Sequence, residues 1–107
     1  MLKNLLIISS FIFISFASIA GEENTCKIKG HVIDKEDKEI LTGVQIKIAE
    51  LNESFYSDFD GDFEIPNLDA NKKYTVTISY ISYEDQTLTD VSPKELKKAL
   101  EIALIKE

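Results

Sequence analysis

The chain has 107 residues, 12 lysines and no arginine, 19 acidic residues and a formal net charge of −7. An acidic, arginine-free chain lacks the basic face that nucleic acid or anionic lipid headgroups demand, which excludes both classes of partner. With one cysteine it has no internal disulfide, so a domain of this size rests on its apolar core.

The N-terminus has a targeting layout. Met1-Leu2-Lys3-Asn4 carries one positive charge, Leu5 to Ala17 is apolar apart from serines, and Ser18-Ile19-Ala20 sets small residues before a cut. The pattern predicts a secretory signal peptide over residues 1–20. Its apolar stretch falls short of the about 20 residues a membrane span needs, and the polar Gly21-Glu22-Glu23-Asn24 follows at once. The expected mature domain is 21–107. It is expected to be exported to the periplasm, the cell surface or the medium, with no stable membrane insertion after the signal is removed. Cys26 does not abut the apolar region as a lipid-acceptor cysteine does. It reads as a small apolar side chain opening the first strand.

From there the chain alternates short apolar segments with polar turns, the pattern of an all-β sandwich. Cys26–Ile33 places Ile28 and Val32 on one face and Lys27, Lys29 and His31 on the other. Asp34–Glu39 is a charged loop. Val44–Ala49 is a second strand with Val44, Ile46 and Ile48 inward, and Phe55–Ser57 a short third. Asp62–Ile65 is a fourth, expected to end at Pro66, which cannot donate to a ladder. Tyr74–Tyr80 alternates most clearly, with Tyr74, Val76, Ile78 and Tyr80 on one face. Tyr83–Thr89 is a more polar sixth strand at an edge. The C-terminal segment 93–105 carries two signals. Ser92-Pro93-Lys94-Glu95 has capping-box spacing, while Leu100, Ile102 and Leu104 alternate. The reading is one helical turn near 93–97 and a last strand over 99–105.

Few residues are equipped for chemistry. His31 is the only histidine, so neither a histidine metal site nor a nucleophile–base pair can be built on it, and it reads as a solvated strand residue. The acidic stretch Ser57-Asp58-Phe59-Asp60-Gly61-Asp62-Phe63 invites a calcium reading, because Asp58, Asp60 and Asp62 match the one-three-five spacing of an EF-hand loop. The match then fails. Gly61 falls at the fourth position rather than the sixth, the twelfth is Asp69 rather than glutamate, and Pro66 lies inside. Paired carboxylates for glycoside hydrolysis need burial of one of them, which an exposed turn does not offer. The turn reading accounts for more. Asp58-Phe59-Asp60-Gly61 suits a type I turn with a left-handed glycine bulge, taken as a hairpin. Asp60 bonds its local backbone, while Phe63 and Ile65 point inward. A loose surface calcium site at Asp58, Asp60 and Asp62 stays as an alternative, with carbohydrate on Phe55, Tyr56 and Phe59 beside it.

Taken in order, Gly30-His31-Val32-Ile33-Asp34, Leu41-Thr42-Gly43-Val44, Ser57-Asp58-Phe59-Asp60-Gly61-Asp62-Phe63 and Ser79-Tyr80-Ile81-Ser82-Tyr83-Glu84 resemble the carboxypeptidase-regulatory-like domain over about 28–105. Three positions depart from its pattern: Ile40 stands for proline, Ser57 for threonine and Ser82 for glycine. The resemblance implies a transthyretin-like (prealbumin-like) Greek-key β-sandwich of about seven strands. Such domains accompany metallocarboxypeptidases and stand at the N-terminus of TonB-dependent outer-membrane transporters, where they are non-catalytic. The related hydroxyisourate hydrolases use histidine and arginine and a Tyr-Arg-Gly-Ser tail, and this chain ends Leu104-Ile105-Lys106-Glu107.

The resulting expectation is a non-catalytic module for protein interaction or scaffolding, without a cofactor, whose partner is an envelope or extracellular protein. Its expected contact surface is Phe59 together with a sheet edge over Glu84–Thr89, which includes Gln86.

Overall fold

The computed structural model describes residues 24–107, so the signal-peptide reading of 1–20 lies outside the described residues. Seven strands run along the described residues: β1 (Thr25–Asp34), β2 (Gln45–Ile48), β3 (Glu53–Tyr56), β4 (Asp62–Asp69), β5 (Tyr74–Ser79), β6 (Gln86–Val91) and β7 (Leu100–Leu104). Two single turns of 3₁₀ helix, Ala49–Leu51 and Pro93–Glu95, are the helical elements among the described residues.

The strands form two sheets, ordered β4-β1-β7 and β3-β2-β5-β6. Period-two patterning explains why the sheets face each other. Ile28, Val32, Val44, Ile46, Ile48, Ile65, Val76 and Ile78 are fully buried, while their neighbours along each strand reach solvent. Among the described residues fourteen buried apolar side chains make one core. At about 1.5–3 kcal/mol each they supply the main favourable contribution to folding. The wiring is a Greek key: β2 and β3 form a hairpin, β4 crosses to the other sheet, and β5 returns beside β2. Cys26 lies half-buried opposite Leu68.

The C-terminal segment forms the 3₁₀ turn at 93–95 and then β7, which pairs parallel with β1 from Gly30↔Leu100 to Asp34↔Leu104. The long β1 leaves one side free for this strand, and Ile102 and Leu104 close the core.

Three expectations are corrected. Pro66 does not end β4, which continues to Asp69. β4 is an edge strand. The register shifts so that Lys27 stands opposite Pro66 and Asn67 together, with Asn67 left-handed at φ 59°. The missing N–H thus falls at an edge bulge, where proline is tolerated. The turn at 58–61 is not a hairpin turn, because β3 and β4 belong to different sheets. The sixth strand begins at Gln86 rather than Tyr83, since Tyr80–Tyr83 closes a turn through Tyr83 N–H donating to Tyr80 O at 3.0 Å.

Candidate functional site

The acidic turn is built as the sequence suggests, with one exchange of roles. Gly61 N–H donates to Asp58 O at 2.9 Å, and Asp58 N–H donates to Asp62 O at 2.9 Å. Asp58, not Asp60, satisfies the local backbone: its Oδ1 accepts from Asp60 N–H and Asp62 N–H, both at 2.9 Å. Gly61 is left-handed at φ 77°, and a Cβ there would meet Val32 O at 2.9 Å, so only glycine fits.

The carboxylates of Asp58, Asp60 and Asp62 bring one oxygen each within 4.8 Å of one another, all exposed. Asp62 Oδ1 also holds His31 Nδ1 at 2.7 Å, so the histidine is a half-buried, paired residue rather than a free solvated one. Calcium takes six to eight oxygens. Three carboxylates, two of them already bonded within the turn and to His31, offer a weak site. A recess of about 470 Å³ beside the turn is lined by Tyr56, Asp58, Asp62 and Phe63 among others, with no histidine, cysteine or arginine.

Two tie points join the segments that carry the sequence pattern. Ser57 is buried. Its Oγ donates to Leu41 O at 2.8 Å and accepts from Val44 N–H at 3.0 Å, locking the 41–44 turn to the acidic turn. Asp34 is also buried, at 4 % exposure. Its Oδ1 accepts from Glu36 N–H at 2.7 Å and Asp37 N–H at 3.1 Å, and its Oδ2 accepts from Tyr83 O–H at 2.6 Å. The Tyr83 bond holds the Asp34 carboxyl below its ordinary range, helped by the Asp37 and Glu36 amides and the charge of Lys106. In return Asp34 pushes the Tyr83 phenol up to about 12. Lys106 Nζ sits 5.8 Å from the Tyr83 ring centroid, and Tyr80 packs against the same ring at 5.7 Å. The sequence pattern puts Asp34 in a charged loop and Tyr83 in a strand; the available clue was that both lie in segments that carry the resemblance.

These bonds gather three connections and the C-terminal residues at one end of the sandwich. Val32 N–H donates to Gly61 O, Leu41 N–H to Val32 O, Gly43 N–H to Ser57 O, Lys35 N–H to Leu104 O and Glu84 N–H to Ile105 O. Among the described residues, five of the six exposed large apolar side chains lie on this loop end: Ile40, Tyr56, Phe59, Ile81 and Ile105. Phe59 is 89 % exposed and Ile81 81 %. Phe55 instead is half-buried and packs against the core. Glu84 is exposed on the loop end, but its N–H is used by Ile105, so the free sheet edge begins at the half-buried Gln86.

Residues 28–107 match the family model described as CarboxypepD_reg-like domain. No curated protein matches the chain. Two solved chains share its fold. One comes from a type II cohesin–X-dockerin complex of Acetivibrio cellulolyticus bearing an N-terminal interface mutation, with 21 % identity and TM-score 0.58 over 76 % of this chain. The other comes from the corresponding C-terminal interface mutant, with 22 % identity and TM-score 0.59 over 74 %. The chain spans little more than half of these solved chains, 58 % and 56 % respectively.

Proposed function

The chain belongs to the CarboxypepD_reg-like domain family, and on that premise we propose that it is an exported, non-catalytic β-sandwich module that holds a partner protein in the cell envelope. The observation that carries this reading is the concentration of exposed apolar side chains on the loop end, with Phe59 at its tip. Apolar residues left in water by the fold, rimmed by polar ones, mark contact surfaces. The Ig-type sandwiches use one end in the same way, with loops carrying recognition on a rigid core. The two solved chains of similar fold both come from protein–protein complexes, which supports the reading at the level of the fold.

Export rests on the sequence layout of residues 1–20. Among the described residues no helix is long and apolar enough to cross a membrane. N-terminal sequencing of the protein recovered from an envelope fraction is expected to begin at Gly21.

A tagged copy in its own envelope is expected to co-purify a protein partner, and Phe59→Ser to weaken the recovery without lowering the melting midpoint. Recovery of no partner under crosslinking overturns the reading. The second reading, surface calcium at Asp58, Asp60 and Asp62 or carbohydrate on Tyr56 and Phe59, has the convergence of the three carboxylates in its favour. Because two of those carboxylates are already bonded, Asp58 within the turn and Asp62 to His31, the melting midpoint is expected to stay fixed when millimolar calcium or a glycan panel is added. A rise with calcium restores that reading.

A further inference from the structure

The charge of this molecule is not spread evenly. The loop end, residues 34–44, 57–62, 80–85 and 105–107, holds ten carboxylates against three lysines. The rest of the described chain holds eight lysines against seven carboxylates. The whole net negative charge of the described residues therefore sits on the end that also exposes Phe59, Ile81, Tyr56, Ile40 and Ile105.

Two of the three lysines there are turned to the protein's own groups. Lys38 Nζ donates to Lys35 O at 3.1 Å, and Lys106 Nζ lies over the Tyr83 ring. Several carboxylates serve the fold: Asp34 is buried against Tyr83, Asp58 closes its turn, Asp37 Oδ1 accepts Glu39 N–H at 2.9 Å and Asp62 holds His31. Asp60, Glu84 and Asp85 are exposed, and among the described residues their carboxylates have no hydrogen-bond partner. They carry charge that the fold itself does not use.

Resting on the interaction-module reading, we infer that the partner presents a cationic segment to this end: a stretch of protein in which lysine or arginine is interleaved with apolar side chains. Charge complementarity selects it. The field of the acidic end attracts cations at a distance and repels anionic lipid and acidic proteins. The apolar tips then supply short-range contact, which charge alone does not give. A neutral glycan gains nothing from the charge, and a small cation gains nothing from Phe59 or Ile81.

The test is fluorescence anisotropy on the purified chain with three labelled peptides: lysine alternating with leucine, glutamate alternating with leucine, and lysine alternating with serine. The lysine–leucine peptide is expected to bind at least about tenfold more tightly than either control and to weaken as salt rises. Phe59→Ser with Ile81→Ser, which changes two exposed apolar residues and leaves every charge in place, is expected to reduce its affinity about tenfold, to the level of the lysine–serine peptide. Asp60→Asn with Glu84→Gln and Asp85→Asn is expected to flatten the salt dependence. Equal binding of the glutamate–leucine peptide overturns the inference, as does equal binding of the lysine–serine peptide or no binding of any peptide. Any of these leaves the interaction-module reading to the co-purification experiment. Failure of co-purification with success here would instead give a cation-binding end with no envelope partner.

Discussion

At the scale of single residues, the Asp34–Tyr83 bond is the pair most exposed to experiment. Both groups have folded-state pKa values moved from their ordinary ones, in opposite directions. The Asp34 value is depressed, so its contribution is present above the usual 3.8 and is lost as pH falls through the folded value. The Tyr83 value is raised to about 12, so its contribution is present below the usual 10.0 and is lost as pH rises from there through about 12. Tyr83→Phe is expected to lower the melting midpoint by several degrees at neutral pH and to remove the alkaline step between these limits. A variant that keeps that step shows that another group causes it. Ser82 makes a second residue-scale case. It stands left-handed at φ 71° in the Tyr80–Tyr83 turn, at the position where glycine is favoured. A left-handed non-glycine residue costs about 1–2 kcal/mol, partly offset by the extra freedom glycine has when unfolded. Ser82→Gly is therefore expected to stabilise by about 1 kcal/mol in urea titration; destabilisation would show that the serine side chain compensates.

At the scale of elements, the tight approach of β1 and β4 is the feature to probe. Gly30 faces Phe63 across the ladder, and the ring occupies the space where a side chain on Gly30 would lie. Gly30→Ala is expected to cost about 1–3 kcal/mol through overpacking, measured as a lower urea midpoint at unchanged slope. The same variant in a Phe63→Leu background is expected to cost less. Equal cost in both backgrounds rules out the ring as the cause. Much of this scale is legible in the sequence, because alternation over Val44, Ile46 and Ile48 or Tyr74, Val76 and Ile78 fixes a strand and its inner face. Pairing is not legible in that way. Nothing local to Asp58–Gly61 tells a hairpin turn from one that crosses between sheets, since the local bonds are the same in both. Pro66 misled for a related reason: whether proline breaks a strand depends on its neighbour, and only the sheet order makes β4 an edge with a bulge. Asp34 and Tyr83 meet across 49 residues of chain, beyond the reach of any local pattern.

At the scale of the whole molecule, the two ends of the sandwich differ in chemistry while sharing one core. The recurring sequence segments serve the fold, through Ser57, Gly61, Asp34 and Tyr83, and they set the loops of one end rigidly beside each other. What those loops then expose is Phe59, Ile81 and an excess of acid. On the proposed function, this end is the contact surface. The measurement that tests it most directly is site-specific photo-crosslinking in the native envelope, with the photoreactive residue placed at Phe59, at Ile81, or at Asn71, an exposed residue at the opposite end. Positions 59 and 81 are expected to give one crosslinked protein partner, and position 71 none. Crosslinks from 71 alone, or none from 59 and 81, would contradict it.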